Sequence, residues 1–192
     1  TVQSGDTTSD LTVASFTIGT MADTAGNAMT STTLPSGANI ADSKAIVIDT
    51  TAPTITAFSS STADGSYRAS QTVTITATAS ESVQINNTIT VTLETGATDR
   101  TVTLTAASAG TSLSGTYTVQ SGDTTSDLTV ASFTIGTMAD TAGNAMTSTT
   151  LPSGANIADA KAIVIDTTVP SVSSVARSGS GTRSEEHTSQ LQ

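Results

Sequence analysis

The sequence predicts an all-β protein made of tandemly repeated β-sandwiches. Short segments alternate between apolar and hydroxyl residues, and clusters of turn residues separate them. The chain also contains one stretch twice, because residues 1–53 return as 118–170 with only Ser43 changed to Ala160 and Ala52 to Val169. Position 1 matches position 118, so the period is 117 residues. Such a period exceeds the roughly 20–50 residues of solenoid units and suits one ordinary domain.

The repeat fixes the expected domain boundaries. KAIVIDTTAP at 44–53 and KAIVIDTTVP at 161–170 predict a last strand that runs into a proline-stiffened linker. We therefore expect 1–53 to be the C-terminal half of a truncated repeat, 54–170 to be one complete repeat and 171–182 to begin the next one. The complete repeat should be compact and 1–45 looser, although 1–53 could compete with 118–170 for the strands of 54–117.

The last ten residues have a different origin in this interpretation. RSEEHTSQLQ at 183–192 differs at one position from the translation of a common sequencing adapter. We interpret 183–192 as adapter read-through and exclude it from the fold. A natural charged tail is the alternative. The exclusion removes His187, which is the single histidine of the chain.

Period-two alternation marks the strands of the complete repeat. TVTITATA at 72–79 places Val73, Ile75, Ala77 and Ala79 on one face and four threonines on the other. The same pattern predicts strands at 54–58, 88–95, 100–107, 113–120, 128–136 and 161–166. No helical period persists across a comparable length. Seven short strands at regular spacing predict an immunoglobulin-like antiparallel β-sandwich.

Composition narrows the function. There is no Cys or Trp, only 3% of residues are aromatic, and the net charge is -10. The acidic balance argues against nucleic acid and anionic lipid as partners, and it is compatible with divalent cations. No apolar run reaches the roughly 18 residues of a membrane span, so no membrane insertion is expected of this segment. With His187 excluded, no Ser-His-Asp or Cys-His pair can form, and we expect no enzyme activity.

Several longer motifs carry a family resemblance across 1–182. DTTAPTITAFSSSTADGSY, MADTAGNAM and GANIADAKAIVIDTTVP, in this order and spacing, resemble the bacterial immunoglobulin-like repeats of large surface adhesins and repetitive secreted proteins. The resemblance implies an extracellular chain, at the bacterial cell surface or secreted. Its partners would be neighbouring repeats of the same chain, while a host or surface ligand is bound elsewhere in the parent protein. The repeat itself would be a structural spacer, or stalk, stiffened at its junctions by calcium.

The residues for such a calcium site are present. Calcium takes six to eight oxygen ligands, and loops that converge at one end of a sandwich can supply them. The candidates, which match the family's pattern, are Asp49 in the linker, Asp64 in an Asp-Gly turn, Glu81 after the second strand, and Asp140 with Asn144 in DTAGN. Asp166 repeats Asp49 in the outgoing linker. The alternative is that these residues only form turns and caps.

Other aspartates, namely Asp6, Asp10, Asp123 and Asp127, are expected to be solvated charges. A glycan- or surface-binding module, in which the repeat itself contacts ligand, is the alternative function. Near identity of the repeats favours a spacer, because a ligand module should expose aromatic residues.

Overall fold

The computed structural model describes residues 1–176, and it places nearly all regular structure between Thr54 and Asp166. The predicted features beyond it, the adapter-like 183–192 and the end of 171–182, lie outside the described residues. The elements are β1 (Ile55–Ser60), β2 (Gly65–Tyr67), β3 (Thr72–Val83), β4 (Thr88–Leu93), β5 (Arg100–Thr105), β6 (Gly110–Thr118), β7 (Thr124–Thr125), β8 (Val130–Ile135), α1 (Ile157–Ala160) and β9 (Ile163–Asp166). These elements confirm the predicted all-β class.

The strands form one large and one small sheet. The large sheet is antiparallel with the order β1-β3-β6-β5-β4-β8, and the small sheet has the order β2-β9-β7. β1 and β8 are the two edges of the large sheet, yet the rings of Phe58 and Phe133 lie 5.5 Å apart in an edge-to-face contact. The sheet therefore curls until its edges face each other across the core, as a sandwich requires.

The predicted strands agree with those observed, with differences at their ends. Val73, Ile75, Ala77 and Ala79 are all buried on one face of β3, as the alternation predicts. β3 continues beyond the predicted 72–79 to Val83. The segments 63–67 and 120–127, which lie mostly between the predicted strands, also contain the short strands β2 and β7, and these complete the small sheet. Strands of two or three residues carry too little alternation for a sequence pattern to identify them.

Gly115 allows the large sheet to curl. It lies in β6 opposite Ile75 of β3, where β5 crosses closely on the other side. A Cβ atom at this position would lie 2.4 Å from the carbonyl oxygen of Thr103 and 2.9 Å from a methyl of Leu104. Only glycine permits this approach of two backbones.

The two copies of the repeated stretch are packed differently. Every residue of the buried apolar core lies between Ile55 and Ile165. Residues 1–52 contain no buried residue and only isolated bridges, among them Thr8 with Ile48. The difference follows from the partner strands, since 118–170 pairs with 54–117 through β4–β8 and β2–β9.

The helical content is a single turn. α1 (Ile157–Ala160) begins at Asn156 with a capping box, in which the Asp159 side chain accepts from the Asn156 backbone. Within residues 1–176, no helix has the length and apolar character needed to cross a membrane.

Gly115→Ala is expected to destabilise the complete repeat by roughly 1–3 kcal/mol, because the new methyl group meets the Thr103 carbonyl. Chemical denaturation measures the loss. Gly19→Ala is the matched control, since a Cβ there meets nothing within 4 Å. Equal stability of the Gly115→Ala protein and the unmodified protein would contradict this account of the curl.

Candidate metal centre at the repeat junction

Three carboxylates converge where residues 1–53 meet the sandwich of 54–170, which the sequence predicts to be a repeat junction. Asp49, Glu81 and Asp140 each offer an oxygen, and these oxygens all lie within 4.8 Å of one another. Within residues 1–176 they form the one group of at least three acidic, His or Cys side chains with such spacing. We call these three side chains the junction triad.

Glu81 joins the triad because of its position in β3. It has the same parity as Ala77, Ala79 and Val83, so it points toward the interior on an otherwise apolar face. It lies inside β3 and not after the strand, which corrects the sequence prediction. The alternation pattern already contained a signal for this site, namely an acidic residue at an inward-facing position near the end of a strand.

Asp140 is fixed by the DTAGN loop and is only 1% exposed. One carboxylate oxygen accepts from the backbone N–H groups of Gly143, at 2.6 Å, and Asn144, at 2.8 Å. The other accepts from the Asn144 side-chain amide at 2.7 Å. A bridge between Val83 and Asp140 ties the loop to the end of β3. The loop thus holds a buried carboxylate in one orientation.

Asp49 brings the linker to this loop. Its side chain accepts from Thr51 N–H at 2.9 Å, shortly before Pro53, which is buried. The Asn144 amide that binds Asp140 also donates to the Asp49 backbone carbonyl at 3.0 Å. Asn144 therefore connects the two sides of the junction.

The triad carries unbalanced negative charge. Burial raises the pKa of Glu81 above its ordinary value, and the nearby charges of Asp49 and Asp140 raise it further. Burial also acts to raise the pKa of Asp140, but hydrogen bonds from Asn144, Gly143 and Ala142 outweigh it and lower that pKa. Asp140 is therefore held ionised beside a second carboxylate that repels it.

The donor set fits a hard divalent cation. Carboxylate oxygens are the preferred ligands of calcium, and waters can complete its coordination. A groove of about 430 Å³ lies beside the triad, with Asp49, Ser80 and Glu81 among its lining residues. It gives an ion and its waters access to two of the three carboxylates.

Not all of the predicted ligands are brought together. Asp64 has a side chain 60% exposed; it accepts from Ala162 N–H at 3.3 Å and lies 3.9 Å from the Lys161 ammonium. Asp166 ends β9 and accepts from Thr168 N–H at 2.9 Å, as Asp49 does from Thr51. Neither belongs to the junction triad. Asn144 contributes by orienting Asp140 and the linker.

The loop of Asp23 repeats that of Asp140. Asp23 accepts from Asn27 N–H at 2.9 Å and from the Asn27 amide at 2.8 Å, and these bonds lower its pKa. The loop is exposed, and it belongs to the half-repeat that lacks the strand corresponding to β3. Asp23 thus shares the turn of Asp140 without its two acidic neighbours.

The prediction that Asp123 is a solvated charge is wrong. Asp123 is 1% exposed, pairs with Arg100 at 2.8 Å and accepts from the Tyr117 hydroxyl at 2.6 Å and from Gln120 N–H at 2.9 Å. Burial acts to raise its pKa, but the bonds from Arg100 and Tyr117 outweigh it and lower that pKa. Burial, together with the bond to Asp123, raises the pKa of Tyr117. The three side chains brace the end of the sandwich opposite the junction.

The environments of the other three aspartates, Asp6, Asp10 and Asp127, depend on the copy in which each lies. Asp127 is half-buried, and one of its carboxylate oxygens has no hydrogen-bond partner. In the half-repeat the equivalent oxygen of Asp10 accepts from Ile46 N–H at 3.2 Å. Asp6, the equivalent of Asp123, is exposed. The same residues therefore have different environments because only one copy has its partner strands, and a local sequence pattern contains no such information.

Glu81→Gln should raise the melting temperature in the presence of a chelator, because a neutral amide relieves the repulsion among the triad carboxylates. Thermal unfolding at neutral pH measures the change. Glu94→Gln is the control, since Glu94 is exposed and outside the triad. A lower melting temperature for Glu81→Gln alone would show that the triad is not electrostatically strained.

Asp123→Asn should cost roughly 3 kcal/mol at neutral pH, because it leaves Arg100 without its buried partner. The folded-state pKa of Asp123 is lowered, so its stabilising effect is present above the ordinary pKa and disappears as the pH falls through the folded pKa. The difference between the two proteins should therefore shrink in acid. Unfolding free energies measured against pH test this. Asp6→Asn, in the same local sequence, should change little.

Comparison with models of known families, with curated proteins and with solved structures gives no match.

Proposed function

We propose that this chain is a structural spacer, a piece of a stalk built from tandem immunoglobulin-like repeats. The stalk would belong to a large bacterial cell-surface or secreted adhesin whose ligand is bound elsewhere in the protein. Calcium at the repeat junctions would stiffen it. The observation that carries the proposal is the junction triad, because its members come from both sides of a repeat boundary.

The position of the triad favours a mechanical role. Asp49 belongs to the linker, whereas Glu81 and Asp140 belong to the complete repeat. A cation bound by all three would tie the linker to the body of the sandwich, and the existing bond from Asn144 to the Asp49 carbonyl already does so weakly. Four residues, 50–53, separate Asp49 from the first residue of the complete repeat, and the last of them is proline. A tied junction of this length leaves little freedom for the two repeats to bend.

The strand arrangement supports an immunoglobulin-like type. β2 pairs parallel with β9, so the strands near the two ends of the repeat lie side by side and point the same way. The chain therefore enters at one end of the sandwich and leaves at the other. That course suits a linear array of repeats.

The alternative is a repeat that itself binds glycans. Such a module usually exposes aromatic rings against which sugars stack. The chain contains five aromatic residues. Phe58, Tyr117 and Phe133 are buried, and the Tyr67 hydroxyl donates to the Ala63 carbonyl at 2.6 Å. Phe16 is half-buried in the half-repeat. The described residues thus offer no row of exposed rings on which a sugar could stack.

Calcium should raise the melting temperature of the chain and increase its maximum dimension in solution, because the ion fixes the angle between 1–53 and 54–170. Small-angle X-ray scattering and thermal unfolding, with calcium and with chelator, measure both effects. Unchanged dimensions and an unchanged melting temperature would remove calcium from the proposal.

The repeat supplies a matched pair of variants for this experiment. Asp49→Asn should abolish the calcium effect, because it removes one of three ligands. Asp166→Asn changes the same residue of the second decamer, which lies outside the triad, and should leave the effect intact. Equal loss in both variants would indicate ion binding elsewhere.

A further inference from the structure

The linker residues Asp49 and Thr50 are held by hydrogen bonds from opposite sides of the junction. The Asp49 carbonyl accepts from the Asn144 side-chain amide at 3.0 Å, and Asn144 belongs to the sandwich that follows the linker. The Thr50 hydroxyl binds the segment that precedes the linker, because it accepts from Gly5 N–H and donates to the Asp6 carbonyl, each at 3.0 Å. Two neighbouring residues, whose Cα atoms lie about 3.8 Å apart, are thus bound to different units.

The second copy of the linker is held in the same way on the side that it leaves. Thr167, which is the equivalent of Thr50, accepts from Gly122 N–H at 3.1 Å and donates to the Asp123 carbonyl at 2.9 Å. These bonds lie within the packed repeat, so the contact does not depend on the looser packing of 1–53. The same contact therefore forms in a packed copy and in a loosely packed one.

A four-residue turn, Gln-Ser-Gly-Asp, presents both partners to the threonine. In the packed repeat it spans 120–123, where Asp123 N–H donates to the Gln120 carbonyl at 3.2 Å and the Asp123 carboxylate accepts from Gln120 N–H at 2.9 Å. Gly122 has a φ of 93°, a left-handed conformation that glycine adopts without strain. The equivalent turn at 3–6 has the same two bonds, at 3.1 Å and 2.7 Å. Its own hydrogen bonds therefore fix the turn independently of the linker.

In the packed repeat this turn is also tied to the large sheet. The Asp123 carboxylate accepts from Arg100 of β5 at 2.8 Å and from the Tyr117 hydroxyl of β6 at 2.6 Å. The same residue offers its backbone carbonyl to Thr167. A displacement of the linker at Thr167 is therefore resisted by two strands of the large sheet.

Burial distinguishes the two threonines of each linker. Thr50 and Thr167 are half-buried, whereas Thr51 and Thr168, which follow them, are exposed. The backbone N–H of the second threonine donates to the aspartate before the pair, at 2.9 Å in both copies. The first threonine thus acts through its side chain and the second through its backbone. A hydroxyl can donate and accept at once, which the similarly branched side chain of valine cannot do.

We propose that the first threonine of the linker, Thr50 or Thr167, is a positioning residue whose hydroxyl latches the outgoing linker to the turn beside it. Together with the bond from Asn144, this threonine latch sets the orientation of the junction without an ion. The inference rests on the proposed spacer function, because a fixed orientation matters in a chain of repeats. It adds a neutral contact to that function, whereas the junction triad relies on a cation.

Removal of the hydroxyl tests the latch in the packed repeat. Thr167→Val should speed hydrogen exchange at the Gly122 amide, followed by NMR, by roughly fivefold, as loss of one hydrogen bond of ordinary net strength gives. Thr167→Ser keeps the hydroxyl and should retain the slow exchange. Thr168→Val is the matched control in the same linker. Unchanged exchange in Thr167→Val, or equal acceleration in Thr168→Val, overturns the latch.

A distance measurement tests the orientation at Thr50. The chain contains no cysteine, so Ser15→Cys and Ser112→Cys, at two exposed positions, place one spin label on each side of the junction. In chelator, electron–electron double resonance should give a narrow distance distribution for the labelled chain and for its Thr51→Val and Thr50→Ser variants. Thr50→Val should broaden the distribution. A distribution that is already broad in the labelled chain overturns the proposal.

The use of chelator separates this test from the test of calcium. If calcium leaves the labelled chain unchanged, the calcium site fails, and the comparison of Thr50→Val with Thr51→Val still decides the latch. If these two variants give distributions of equal width, the latch fails, whether or not calcium stiffens the chain.

Discussion

Burial of one shared apolar face determines which parts of this chain are packed. Of the 24 buried apolar residues, 15 come from 54–117 and nine from 118–170, and neither group can cover itself. The copy at 1–53 has nearly the same side chains and many of the same local hydrogen bonds, but none of its Leu, Ile and Met residues is buried. Local bonds therefore set the conformation of a half-repeat, whereas stability comes from the second half.

The junction triad lies at one end of the same sandwich and places charged groups near its buried face. Glu81 occupies an inward position that an apolar side chain would otherwise fill, so its charge is partly desolvated beside Asp140. That placement costs stability unless something compensates for the charge. The linker adds a third carboxylate, Asp49, where repulsion is already present. A cation bound by all three carboxylates, as we propose, would replace this repulsion with attraction and hold the linker against the sandwich.

Much of this could be predicted from the sequence, and the exceptions have physical causes. Period-two alternation identified the long strands because each of them buries one face. It missed β2 and β7, which are too short to alternate, and it ended β3 early because Glu81 is polar although it lies on the buried side. Asp49, Glu81 and Asp140 were predicted as one group, whereas Asp64 was separated from them by its contacts with Lys161 and Ala162. Asp123 was missed because its partner Arg100 lies 23 positions away.

The parallel pairing of β2 with β9 determines how the repeat would respond to a pull along its length. Tension enters β2 from its N-terminal side and leaves β9 from its C-terminal side, and the two strands are aligned at Gly65 with Ile163, Ser66 with Val164 and Tyr67 with Ile165. The strands are thus drawn past each other, and the bonds between them are sheared together instead of being unzipped in sequence. Rupture then requires several bonds to fail at once. The parallel pairing of β2 with β9 therefore makes this sandwich resistant to extension.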